Sequence, residues 1–198
     1  MNNKKFLIAA LSLILLFTIS CGDRPTESGD VDNQINALFD KFPKPSTATD
    51  TTINDNSLDG NYKSEGNLTI VPDETDAINY LWTKEDFIKN EAEKAGFLDI
   101  AGGKATGYRD DKSERGKLFE NAQIYENSSG KYYAIAETKD DYGSNNCYIE
   151  FDKDSSGNLT SFKIMQLIRV NAGENNYAIQ QTYTGTLIKD TSSGSSGS

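Results

Sequence analysis

The hydrophobic pattern divides the chain into three stretches. Residues 6–19 are apolar apart from Ser12 and Thr18. Between residue 22 and about residue 57 Thr, Ser, Asp, Asn and Pro dominate, and few apolar positions interrupt them. Beyond that point apolar residues return, first with helical and then with strand spacing. The first run is fourteen residues long. As a helix it rises about 21 Å, short of the roughly 30 Å of a hydrocarbon core. It reads as the core of a signal peptide, with Lys4 and Lys5 as its basic start.

The C-terminal stretch reads as strands and short turns. Apolar alternation predicts strands over 118–126, 131–138, 147–152, 159–170 and 177–189, with turns at 127–130, 140–146, 154–158 and 171–176. Cys147, Ile149 and Phe151 share one strand face, as do Phe162, Ile164, Ile168 and Val170. Ahead of this run, 62–71 reads as a strand bending at Gly66. Residues 83–96 read as the clearest helix, with Thr83 and Asp86 at capping-box spacing, an apolar stripe of Phe87, Ile88, Ala92 and Ala95, and Gly96 as the terminating glycine. Between them and the run, 99–117 reads as a loop with one short strand at 104–109. The fold class is mainly β: an antiparallel meander forming a small up-and-down barrel, or a strongly bent sheet, with one packed helix. An open α+β sheet on that helix is the alternative. The order strand, helix, meander is loosely similar to calycin-type binding barrels. That likeness implies an interior for a small apolar ligand, on element order alone.

The middle stretch, 21–57, reads as a tether. Inside it Val31, Ile35, Leu38, Phe39 and Phe42 fall on one face of a helix over 31–42, which Asp30 caps and Pro43 ends. Such a helix docks on the main domain, docks a partner, or forms transiently. The expected organisation is a signal peptide at 1–20, the tether at 21–57, a β-rich domain at 58–190 and a Ser/Gly tail at 191–198. A stalk of roughly 35 residues reaches about 115 Å stretched and about 30–35 Å relaxed.

Thr18-Ile19-Ser20-Cys21-Gly22 closes the signal peptide with small residues leading into a cysteine. This resembles the lipobox of bacterial lipoproteins, and Thr18 in place of leucine resembles the looser spirochaetal form. The resemblance implies cleavage before Cys21, a diacylglyceryl group on its thiol and an acyl chain such as palmitate on its new amine. Several chains on one residue make membrane attachment stable. Gly22 lacks the aspartate that marks inner-membrane retention in enteric bacteria, so the outer membrane is the expected address, on a side the sequence leaves open.

Charge narrows the chemistry. The chain holds 20 basic and 30 acidic side chains and no histidine. Loss of residues 1–20 removes Lys4 and Lys5 and leaves 18 basic against 30 acidic, a charge of −12. Without histidine there is no Ser-His-Asp or Cys-His system, and an acidic chain is no nucleic-acid binder. The same charge predicts a body held off an anionic membrane.

The remaining candidates are weighed against ordinary structural roles. Asp152, Asp154 and Ser156, with Gly157 next, match the first half of a calcium loop. Its twelfth position is Lys163 instead of a glutamate, so a polar turn explains them as well. Asp140, Asp141 and Asn146, and the pair Asp110 and Asp111, are further loop oxygens. Glu137 and Glu150 are the least loop-like carboxylates for glycoside chemistry. Cys147 reads as a buried, inert thiol. Trp82, Tyr132, Tyr133, Tyr148, Tyr177 and Tyr183 are candidates for a ligand pocket or a protein interface. Inward candidates Ile135, Ile149, Phe151, Phe162, Ile164, Ile168 and Ile179 are large, which points to a filled core. Together these predict a non-enzymatic lipoprotein whose lipid on Cys21 is its only cofactor. Its partner is the membrane plus a protein or, alternatively, a small apolar ligand. A carboxylate glycosidase is the third class.

Overall fold

The computed structural model describes residues 28–44, 49–54, 56–81, 83–90, 94–172 and 175–191. In chain order these form helix α1 (Ser28–Lys41), β1 (Thr51–Thr52), β2 (Gly60–Ser64), β3 (Thr69–Ile70), a 3-10 turn (Pro72–Glu74), β4 (Asp76–Ile78) and helix α2 (Lys84–Asn90). There follow β5 (Gly96–Ala101), β6 (Lys104–Arg109), β7 (Lys117–Glu126), β8 (Tyr132–Asp140), β9 (Gly143–Lys153), β10 (Leu159–Ala172) and β11 (Asn175–Lys189).

Eight of the strands close into an antiparallel barrel. The path runs β7-β6-β5-β2-β11-β10-β9-β8, and β7 pairs β8 to complete the circle. In chain order this is an up-and-down barrel of the type the alternation predicts, so no long edge stays open. β7 manages the closure. It pairs β6 with register shifts around Gly107, then meets β8 through Ile124, Tyr125 and Glu126. Irregular pairing of this kind bends a strand. The edge of β11 turned away from β10 is filled in relay: β2 at 187–189, β3 at 183–184 and β4 at 178–180.

One face of each strand fills the barrel. Tyr62, Leu98, Ile100, Phe119, Ile124, Tyr132, Ile149, Phe151, Phe162, Ile164, Tyr183 and Leu187 belong to one buried cluster. Small residues make room for the large ones: a side chain at Gly107 would collide with the Phe119 ring. Ile135 corrects its prediction. It lies opposite Tyr148 on the outer face, because Ala134 and Ala136 take the inward positions of β8. Ile149, Phe151, Phe162 and Ile164 face inward as expected.

The outside of the barrel is wrapped by residues read as tether. Val31 and Ile35 of α1 are buried against Ala178 of β11, with Leu38, Phe39 and Ile78 alongside. Asp32 accepts the Asn176 side-chain N–H at 3.1 Å and lies 3.5 Å from Arg169. Phe42 is buried at the helix end. Farther on, β1 pairs β7, and Ile53 and Leu58 join the barrel's own cluster. Gly103 makes the Ile53 contact possible: it adopts a φ of +73°, and a Cβ there would lie 1.9 Å from the Ile53 carbonyl oxygen. The expected tether therefore contributes Ile53 to the core, and the expected domain contributes Leu58 at its first residue.

The helix expected over 83–96 is also revised. Thr83 caps as predicted, its Oγ1 accepting the Asp86 N–H at 3.2 Å and donating to the Asp86 carboxylate at 2.7 Å. The helix it opens is α2, with Lys84, Glu85 and Asp86 exposed. Gly96 begins a strand instead of ending a helix. The short strand expected at 104–109 is β6, and it is half of a hairpin: β5, unexpected from the sequence, runs over Gly96–Ala101 and turns at Gly102 and Gly103 into it. The helix packed on the barrel is α1. The tail at 192–198 and the signal peptide lie outside the described residues.

Candidate interaction surface

Two ends of the barrel are distinguished by their loops. The lower end carries the β8–β9 turn at 140–143, the end of the β10–β11 pair at Asn171 and Asn176, and the first turn of α1. The upper end carries the turns at 102–103, 127–131 and 154–158. The upper half of the interior is apolar. Toward the lower end it becomes polar: Arg109 Nη1 donates to Gln181 Oε1 at 2.9 Å and to the Tyr183 hydroxyl at 2.5 Å. Beside them Gln166 donates to Asn145 Oδ1 at 3.1 Å, and Asn145 donates to the Leu118 carbonyl at 3.1 Å. Buried polar groups need such partners, and here one inner layer supplies them mutually. Sequence reasoning missed this layer, although Gln166, Gln181 and Tyr183 stand at inward-facing positions of two long strands.

The predicted aromatic residues do not converge on one site. Tyr132 and Tyr183 point inward, and the Lys153 ammonium lies 4.2 Å from the Tyr132 ring centroid. Tyr133 and Tyr148 share the outer face, 5.7 Å apart, and Tyr125 extends the row at 5.4 Å from Tyr133. Tyr177 packs against Tyr80 at 5.3 Å near the lower end, and burial pushes its hydroxyl up to about 12. Trp82 and Cys21 lie outside the described residues. Tyr80 and Tyr125 are the aromatic members that the sequence reading passed over.

The outer row is acidic as well as aromatic. The Tyr133 hydroxyl donates to Asp50, and the Tyr148 hydroxyl donates to Glu150 at 2.9 Å. Burial, then the hydrogen bond to Glu150 and after it the Glu150 charge, raise the Tyr148 ionisation well above the ordinary phenol range. Ile135 and Met165, both half-buried, flank the row.

The other candidates resolve into local structure. Asp154 Oδ1 accepts the N–H groups of Ser156 at 2.8 Å and Asn158 at 2.9 Å, and Asp152 accepts the Ser161 hydroxyl at 2.7 Å. Backbone N–H donation from Asn158, the largest favourable contribution, holds the Asp154 carboxyl below its usual range. Lys163, the twelfth position, pairs instead with Glu74 at 2.6 Å. Asp140 accepts the N–H groups of Tyr142 and Gly143, Asp110 pairs with Lys94 at 3.0 Å, and Asp111 accepts the Ser113 N–H at 2.9 Å. Among the described residues no cluster of three or more acidic or cysteine side chains is placed to hold a metal ion.

Glu137 accepts from Asn146 at 3.0 Å, whereas Glu150 lies opposite Tyr133. Their register sets them four residues apart along the strands, about 13 Å of backbone. That exceeds the spacing of a carboxylate pair sharing one glycosidic bond, about 5–9.5 Å. Cys147 is buried at the inner polar layer, its thiol pushed up to about 12 by burial and donating toward the Leu118 carbonyl at 3.6 Å. A groove of about 460 Å³ lies outside the barrel, between Val31, Gln34 and Leu38 of α1 and residues 76–79.

No protein-family model, curated protein or solved structure matches the chain.

Proposed function

We propose that this chain is a non-enzymatic lipoprotein, held at the outer membrane of the cell envelope by lipid on Cys21, and that its barrel binds protein through its outer surface. One observation carries the choice of surface over interior. The lumen is occupied by Tyr62, Phe119, Phe151, Phe162 and Tyr183 from opposing walls, whereas small-ligand sites occupy about 300–1,000 Å³ of space. The acidic tyrosine row of β7–β9 is the face assigned to the partner. Half-buried Tyr125 and Tyr148 supply rigid contact area, and Glu137 and Glu150 complement a basic protein surface. The anchor is supported by the resemblance of residues 18–22 to a lipobox.

The closed up-and-down topology favours one rival, a carrier of a small apolar molecule. Native mass spectrometry of the chain purified from its own host without detergent separates the two. A bare protein mass that persists after incubation with host lipid extract is the expected result. A mass excess lost on denaturation overturns the surface reading in favour of a carrier. Fractionation tests the anchor: Cys21→Ala is expected to shift the protein from membranes to the soluble fraction. Membrane retention of that variant overturns lipidation as the means of attachment.

A further inference from the structure

We infer that the lower end of the barrel rests on the lipid bilayer that holds the Cys21 anchor, with Tyr142 and Leu81 set into its interface. The inference takes the anchor from the proposed function and adds an orientation. Seven residue steps separate Cys21 from Ser28, where α1 begins. A chain spans at most about 3.6 Å per residue, so the start of α1 lies within about 25 Å of the lipidated cysteine whatever path the segment takes. The long stalk expected from composition is therefore absent: the residues meant to form most of it are packed on the barrel.

The start of α1 is fixed at the lower end. Val31 is buried beside Ala178, Asp32 holds Asn176 at 3.1 Å, and Asn36 accepts from Arg169 at 3.2 Å. Asn176 pairs Asn171 at the lower end of β10 and β11. The upper end is a full strand length away. The fifteen residues of β11 extend about 50 Å, or roughly 38 Å along the axis at a typical barrel tilt. A tether of 25 Å thus keeps the lower end near the lipid and leaves the upper turns facing away.

The exposed apolar side chains are distributed to match. Leu81 is 78% exposed and Tyr142 62%, the two most exposed large hydrophobic residues among those described, while Ile188 follows at 39%. The Tyr142 carbonyl accepts the Asn171 N–H at 2.8 Å, and the Asn79 side chain donates to the Asn176 carbonyl at 2.7 Å. Both contacts bring the exposed residues to the same hairpin that receives α1. Ile188 sits toward the other end of β11, beside the polar upper turns. A single exposed leucine needs no explanation. A tyrosine and a leucine beside the entry point of a lipidated segment are the residue types that settle at the boundary of headgroups and acyl chains. Asp30, Asp32 and Asp141 stand at this end beside Lys139 and Arg169, a mixed set of charges that fits a zwitterionic surface better than an anionic one.

The test uses the lipidated protein on phosphatidylcholine vesicles carrying a doxyl quencher near the interface. Single cysteines, Asp141→Cys at the lower end and Ser156→Cys at the upper, carry an environment-sensitive fluorophore. Cys147 is buried, with its thiol pushed up to about 12, and stays unlabelled in the folded protein. Quenching several-fold stronger at 141 than at 156, reduced in the Leu81→Ser, Tyr142→Ser double variant, is the expected result. Vesicles that float with the protein but quench both positions equally overturn the orientation and leave the anchor standing. Cross-linking of two copies through position 141 without quenching assigns this end to a second copy and also overturns it. Failure to float with the vesicles removes the anchor and the proposal with it.

Discussion

Around Ala178 and Thr182 the outer face of β11 is buried as fully as its inner face, by different means. Inward, Tyr183 and Leu187 pack among the large side chains of the barrel wall. Outward, Ala178 and Thr182 are small and are covered by added chain: α1 lies over Ala178, the Thr182 hydroxyl donates to the Glu74 carbonyl at 3.0 Å and the Thr182 N–H donates to the Thr75 hydroxyl at 3.3 Å. The inner face is built by the strands themselves. The outer face depends on segments outside the meander, fastened by backbone contacts to small residues. The difference predicts that the inside decides whether the barrel exists and the outside decides what is attached to it.

The largest effect is expected inside. Phe151 is buried in the centre of the cluster, opposite Tyr132 and Phe162. Phe151→Ala removes a ring from a filled interior and is expected to destabilise the domain by about 3–5 kcal/mol, read from urea unfolding. A loss below about 1 kcal/mol would mean that the interior collapses or already has space, which would reopen the carrier reading.

Ile35→Asp breaks the outer face alone. Ile35 is fully buried under α1, and an unpaired carboxylate is not tolerated there, so the helix is expected to leave the barrel. The cost is limited to what docking contributes, about 2 kcal/mol. Hydrogen exchange checks the division: amides of 28–41 lose protection while those of 118–189 keep theirs. Loss of protection throughout would show that the wrapping is part of the core. The same variant releases the tether, so on vesicles it is expected to erase the contrast between positions 141 and 156.

A third, smaller effect lies where the chain returns to the barrel after α1. Tyr133→Phe removes the hydroxyl that donates to Asp50. The expected loss is about 1.5 kcal/mol, the low end for a hydrogen bond to a charged group, because Asp50 is only half-buried. Exchange should rise at residues 49–53 with the other strands unchanged; an unchanged rate there would mean that β1 alone holds the segment.

These two faces also explain what the sequence made readable. Strands 118–189 announced themselves because one side of each is apolar and the other meets polar or covered surface. The short strand of β6 was legible at 104–109, but its partner β5 was not, since Leu98 and Ile100 give only two inward apolar positions, next to two glycines and a charged loop. The α1 stripe was visible, yet its docking site is built from Ala178, which no periodicity marks. Ile53 and Leu58 were isolated apolar residues in a polar stretch; only the left-handed turn at Gly103, a tertiary match, gives Ile53 a place. The scattered tyrosines were decidable from the period of a strand: adjacent Tyr132 and Tyr133 must face opposite sides, so they could never line one pocket. The inner polar layer was hidden because glutamines in a strand read as solvent-facing.

The smallest effect belongs to the upper end, where neither face is involved. Asp154→Asn tests whether its turn is a turn or a calcium loop. The carboxylate is held below its usual range by N–H donation, so the ionised form is the one the fold stabilises. That contribution is fully present above the ordinary aspartate range, near about 4, and is lost as pH falls through the lowered value. The thermal midpoints of wild type and Asp154→Asn should therefore differ most at neutral pH and converge as the pH falls through the lowered Asp154 range. Calcium is expected to leave both midpoints unchanged, since the Asp154 and Asp152 oxygens already accept from Ser156, Asn158 and Ser161 and Lys163 is paired with Glu74. A midpoint raised by calcium in the wild type and not in the variant would establish an ion site at the upper end and make that end, not the tyrosine row, the first place to look for a partner.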